Sequence, residues 1–187
     1  MKLLSSQRIL ALDIEAQHGA TWGTYDGRIF FGMAARFEDE DDMLYLRPLA
    51  DAHAMADFLE DTLLQPNTIV LAHNAKYDLP GINGELMRLG LDTLPPLRVI
   101  DTCNHIPKNG GMFSKSLANL AQHFGIAQKG SISRHDWEYL YRHVNVWTDP
   151  CWDQLREYNE NDVEVVLQLR QAEEEAGWLG APRLWRP

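Results

Sequence analysis

RILALDIEAQ, residues 8–17, reads as a β-strand that runs through a core and then ends on two carboxylates. Side chains along a strand alternate between its faces, so Asp13 and Glu15 point one way while Leu10, Leu12 and Ile14 point the other. Two negative charges about 4 Å apart at an effective dielectric of ~20 repel by roughly 4 kcal/mol, which a fold tolerates only where something cationic compensates. A divalent metal ion is the natural candidate.

Working outward, residues 28–37 (RIFFGMAARF) and 43–47 (MLYLR) read as two further strands, an antiparallel meander with the first. Residues 50–64 place apolar side chains at 55, 58, 59 and 63, the spacing of an amphipathic helix, stopped by Pro66. TIVLA (68–72) is a strand. A helix follows over 77–89, with Pro80 in its first turn and Gly90 at its end. LRVI (97–100) is a short strand closing on Asp101 and Thr102, and Ser114 or Ser116 caps a helix carrying Leu117, Leu120, Ala121 and Phe124 on one face. Residues 137–147 read as helix, and 151–176 as one long helix with Leu155, Tyr158, Asp162, Val166 and Leu169 on a stripe. The tail 177–187, with its Gly, Pro and Trp, reads as irregular. The pattern predicts a single α/β domain over 1–176, a mixed five-stranded sheet flanked by helices.

Composition excludes several classes. The chain has 187 residues, 45% of them hydrophobic, enough for one substantial core. No run of about 18 apolar residues and no signal-like N-terminus is present, so the expectation is a cytosolic protein without a membrane partner. Cys103 and Cys151 lack metal-site spacing and read as reduced thiols. The formal charge of -10 argues against a dedicated duplex-binding face. That average is dominated by two acidic runs, 38–42 and 173–175, which read as a solvated turn and a frayed helix end. Lys108, Lys115, Lys129, Arg134 and Arg142 make the middle third more basic.

The D-x-E pattern alone is weak: it recurs at Asp136/Glu138, which read as solvated, and at Asp162/Glu164. Its position at the exit of an apolar strand distinguishes Asp13 and Glu15. Asp78 follows the 68–72 strand closely, with Asn74 before it, so the turn can bring its carboxylate over the sheet edge near Asp13. Tyr158 and Asp162 are four apart, hence on one helical face, and a carboxylate interrupting an apolar stripe costs several kcal/mol unless paired or metal-bound.

In this order, LALDIEA, LAHNAKYDLPGI and REYNENDVEVV resemble the three motifs of the DnaQ-like 3′-5′ exonucleases, in the subgroup called DEDDy. The resemblance is greatest to the proofreading domains of phage-type family A DNA polymerases; the chain ends soon after the third motif, so it is expected to act without an attached polymerase. Glu157 stands where a sister subgroup carries His, which argues against that subgroup. The resemblance implies an RNase H-like fold and two divalent ions, Mg or Mn, held by Asp13, Glu15, Asp78 and Asp162. Tyr158, whose unperturbed pKa lies near 10, is expected to orient the attacking water by a hydrogen bond and not to accept its proton. The expected substrate is single-stranded DNA or a frayed 3′ end, in a bacterial or phage-infected cell. Ala16, Gln17, Asn74, Leu79, Met112, Phe113 and Lys115 are candidate substrate contacts, and His73 and Lys76 candidates for meeting phosphate or solvent. Two alternatives stand beside this reading, an exoribonuclease with the same metal core and a non-catalytic RNase H-like module that binds nucleic acid or a polymerase; a separate DNA polymerase or replication protein is the expected protein partner.

Overall fold

Leu10, Leu12 and Ile14 are buried on one side of strand β1 (Arg8–His18), and Ile9 and Ala11 on the other, the alternation that period two demands. The structure, a computed structural model, describes residues 7–18, 28–48, 50–105, 114–127, 132–143 and 148–187. Strands β2 (Arg28–Phe37) and β3 (Leu44–Leu46) continue the meander from β1, each antiparallel to its neighbour. Helix α1 (Ala52–Asp61) leads into β4 (Thr68–Ala72), and α2 (Ala75–Arg88) into β5 (Leu97–Asp101). Both β1–β4 and β4–β5 are parallel pairs. Short helices α3 (Thr102–His105), α4 (Leu117–His123) and α5 (Arg134–His143) precede the long α6 (Asp149–Glu175).

Among the described residues the sheet has six strands, in the order β3-β2-β1-β4-β5-β6, and not five. The sixth, β6 (Arg183–Trp185), lies in the tail that reads as irregular in the sequence, and it pairs antiparallel with β5, Leu97 opposite Trp185. Three residues are too short to show periodicity, and it is the open edge of β5 that makes them a strand.

The two faces are covered differently. Met55, Phe58 and Leu59 of α1 and Leu79, Ile82 and Leu86 of α2 pack on the Leu10/Leu12/Ile14 side. Val163, Val166 and Leu167 of α6 pack on the Ile9/Ala11 side, each fully buried aliphatic side chain stabilising by roughly 1.5–3 kcal/mol. Continuing the alternation puts Asp13 and Glu15 on the α6 face.

Several boundaries move for identifiable reasons. Helix α1 ends at Asp61, short of the 64 read from sequence, because the Thr62 hydroxyl takes the Phe58 carbonyl at 2.5 Å. Helix α2 begins two residues early, at Ala75, so Pro80 lies in its second turn. Helix α5 starts at Arg134, where Ser133 and Asp136 form a reciprocal cap; Asp136 is thus a capping residue, and 144–147 lie outside the described residues. Ser116, not Ser114, caps α4, accepting from the Asn119 amide. The acidic turn is not merely solvated: Arg8 pairs with Asp39 and Glu40, and Arg170 pairs with Glu38 at 2.7 Å. Those bonds strap the turn to β1 and to α6.

Candidate active site

Beyond Ala11, β1 has no parallel partner, because its pairing with β4 stops at Ala11 and Leu71. Asp13 and Glu15 therefore stand over the crevice that opens at the C-terminal end of β4, where sheets of this kind place ligands. The β1–β2 register breaks immediately after Glu15: Glu15 faces Gly32 while Ala16 faces Phe30, leaving Phe31 unmatched. Such bulges bend a strand and re-aim its side chains. The Tyr77 hydroxyl, from the first turn of α2, holds the bulged stretch by donating to the Ala16 carbonyl at 3.2 Å.

Helix α6 crosses this face with Asn159, Asp162 and Val163 toward β1. Oxygens of Asp13, Glu15 and Asp162 lie within 4.8 Å of one another. Asp78, in the first turn of α2 and 3% exposed, stands outside that trio, but its negative charge reaches both Asp13 and Glu15. Burial first, then the charges of Glu15, Asp78 and Asp162, hold the Asp13 carboxyl well above the usual carboxylate range. Glu15 is raised well above its usual value by burial and then by Asp162 and Asp78. Asp162 is pushed up to about 6 by burial, against the hydrogen bonds it receives from Asn161 and Tyr158. Burial and the surrounding acids raise the Tyr158 phenol as well, so it stays protonated at neutral pH and acts as a donor toward Asp162. The Trp137 ring meets Tyr158 edge-on at 5.9 Å.

This donor set fits hard divalent cations. Its donors are carboxylate oxygens, crowded enough that each is held toward its protonated form without a compensating positive charge. Among the described residues, no Lys or Arg is paired with Asp13, Glu15 or Asp162.

A sequence profile described as that of the RNase H superfamily matches residues 10–172, from β1 through α6. The chain belongs to the RNase H superfamily. No curated protein matches it in sequence. Solved RNase H-like folds resembling it include a family B DNA polymerase from Pyrobaculum calidifontis, at TM-score 0.70 and 16% identity over 93% of this chain and 25% of the polymerase. The Nibbler EXO domain of Aedes aegypti matches at TM-score 0.61 and 14% identity, over 92% of this chain and 80% of that domain. Escherichia coli RNase D, described as an exoribonuclease, matches at TM-score 0.53 and 22% identity over 93% of this chain and 42% of its own length. The chain thus spans a quarter of the polymerase and less than half of RNase D.

Within this RNase H-like frame, β1 and α6 bring together Asp13, Glu15 and Asp162 with Tyr158, and α2 carries Asp78, whose charge reaches Asp13 and Glu15. The expected substrate contacts fare unevenly. Leu79 is 0% exposed and packed in the core between α2 and the sheet, so it cannot touch a substrate. The Ala16 side chain is buried on the same side, leaving only its backbone near the site. Asn74 sits in the left-handed region (φ 73°), its backbone N–H donating to Asp101 Oδ1 at 2.9 Å, and its side chain makes no cap. Lys115 is exposed. Met112, Phe113 and the Gln17 side chain lie outside the described residues. His73 does not face phosphate or solvent freely: Nε2 donates to the Lys115 carbonyl and Nδ1 accepts from the Thr102 hydroxyl, both at 2.8 Å. Burial depresses its pKa, which favours the neutral ring with its proton on Nε2. It ties the ends of β4 and β5 to the segment before α4.

Two residues escaped the sequence reading. Asn159, 0% exposed, donates Nδ2 to Asp13 Oδ2 at 2.6 Å; its sole sequence signal is a polar residue on the core side of α6. Tyr45 on β3 lays its ring over Gly32, the partner of Glu15, where a Cβ would come within 2.7 Å of the hydroxyl. Only glycine leaves that space, which no local pattern announces. An open cleft of about 750 Å³ along α6 exposes one edge of Tyr158, and its wall carries Glu157, Glu160 and Glu164. That lining disfavours a phosphate track through the cleft.

Proposed function

We propose that the chain is a metal-dependent exonuclease of the DEDDy type that removes nucleotides from the 3′ end of single-stranded or frayed DNA. The observation that carries this reading is the trio Asp13, Glu15 and Asp162 within 4.8 Å, with the Tyr158 hydroxyl bonded to Asp162. Asp13, Glu15 and Asp162 would hold two divalent ions, Mg or Mn, with Asp78 completing a charge of four negatives against two double positives. When bound, such ions would supply a reactive water at neutral pH and neutralise charge on the phosphate and the departing 3′ oxygen.

The protein's own groups have separate tasks. Asp13, from a core strand and bonded by Asn159, would help hold the cations. Asp162 is held at the cluster by the Tyr158 O–H, which cannot serve as base because its proton is bound too tightly. Tyr77 and the bulge fix the Ala16 backbone beside the site, where a terminal nucleotide would lie.

A second reading, hydrolysis of RNA by the same residues, draws on the likeness to RNase D, since carboxylates sense phosphate and not the sugar. A purely binding role is disfavoured: packing alone gives no reason to gather acids that raise one another's pKa. The test is degradation of 3′- and 5′-labelled single strands of matched DNA and RNA, with Mg²⁺ or Mn²⁺ and with chelator. Asp13→Ala and Asp162→Ala should be inactive yet folded. Full activity in either variant, or shortening from the 5′ end, would overturn the proposal; faster RNA than DNA hydrolysis would select the second reading.

A further inference from the structure

Resting on the metal-dependent reading above, we infer that Asn159 is a positioning residue for Asp13, whose amide fixes the carboxylate's orientation and so sets how tightly the cluster holds its cations. Asn159 occupies the core side of α6, in register with Val163 and Val166, which pack on the sheet. An apolar side chain is expected there. The asparagine is fully buried, its Nδ2 lies 2.6 Å from Asp13 Oδ2, and its Oδ1 is buried with no hydrogen-bond partner. A buried carbonyl left unpaired is unfavourable, so Asn159 is a poor choice for packing alone. With Asp13 ionised, as cation binding requires, turning the carboxamide over would press Oδ1 against a carboxylate oxygen, so the NH₂ edge faces Asp13.

The bond has two consequences. It occupies one lone pair of Asp13 Oδ2 and locks the side-chain rotation, so the remaining lone pairs keep one fixed direction. It also orients the acid without adding charge: a Lys or Arg at 159 would fix Asp13 equally well but would repel a divalent cation nearby. Groups that hold a ligand in this way typically change metal affinity tenfold to a hundredfold when removed. Asn159 is three residues from Asp162 on the same helix, so one element carries both a proposed ligand and the group that aims another.

The experiment is calorimetric titration of the full chain with MnCl₂ alone, alongside thermal unfolding and nuclease rate as a function of Mn²⁺ concentration. Asn159→Leu should bind Mn²⁺ tenfold to a hundredfold more weakly and recover much of its rate at saturating Mn²⁺. Asn159→Ala, which also lacks the donor but leaves a cavity, should show the same loss of affinity should the leucine variant not fold. A merely structural asparagine would shift the unfolding temperature and leave Mn²⁺ affinity alone. Both variants binding within twofold of wild type would overturn the inference while leaving the nuclease reading intact. Wild-type protein that takes up no Mn²⁺ would overturn both.

Discussion

Replacing Asp162 with Asn should make the metal-free protein harder to unfold while removing its activity. In the folded chain burial pushes the Asp162 carboxyl up to about 6, from an ordinary 3.8. At 1.36 kcal/mol per unit this shift corresponds to about 3 kcal/mol at pH 7.5, and solvent at the partly exposed site reduces it to about 1–2 kcal/mol. The sign follows from proton linkage. The folded carboxyl holds its proton more tightly than the unfolded one, so its contribution to stability is complete below about pH 4 and is lost as pH rises through about 6. At pH 7.5 the wild type carries the whole penalty and the Asp162→Asn variant none. For a chain of this length, that difference is roughly 2–8 °C in Tm. Thermal unfolding followed by circular dichroism in EDTA at pH 7.5 and pH 4.5 measures it, with the gap expected to be wide at the higher pH and narrow at the lower. Mn²⁺ at pH 7.5 should raise the wild type toward the variant, since the cation replaces the missing protons. A variant less stable than wild type in EDTA at pH 7.5, or a gap unchanged at pH 4.5, would refute the account of a site strained by its own charges.

Other residues make separate predictions. Tyr158→Phe should lower kcat roughly tenfold to a hundredfold with a smaller change in KM, because a bond to a charged acceptor is lost from the site and not from the substrate grip; steady-state rates on a labelled oligonucleotide check it. Leu79→Ala should cost about 2–5 kcal/mol in urea unfolding while leaving KM unchanged once folded, and a specific rise in KM would restore Leu79 as a substrate contact. Ending the chain at Ala176 removes β6 from the β5 edge, and should lower Tm and promote aggregation, both visible by light scattering during a thermal ramp. Unchanged melting would show that β6 is dispensable.

The elements best read from sequence are those whose information is local. Alternation in RILALDIEAQ places Asp13 and Glu15 on one face, and helical spacing puts Tyr158 with Asp162, as the structure finds. Strand 28–37 and strand 68–72 keep the boundaries their apolar runs suggest. Errors fall where the deciding partner is distant. Leu79 is a candidate substrate contact by its position beside Asp78, and only the packing of α2 on the sheet turns it to the core. The acidic turn looked solvated because Arg8 and Arg170, which hold it, are 31 and 132 residues away along the chain.

By itself the sequence determined the order of the first five strands and the longer helices, the shared face of Asp13 and Glu15 and the shared face of Tyr158 and Asp162, since periodicity and caps act over a few residues. Only the tertiary structure decided that the tail adds a sixth strand, that His73 is bound on both ring nitrogens, and that Asn159 reaches Asp13 from 146 residues away. The physical reason is one of range: a side chain's direction is set by its own backbone, but its partner is set by where the rest of the chain packs.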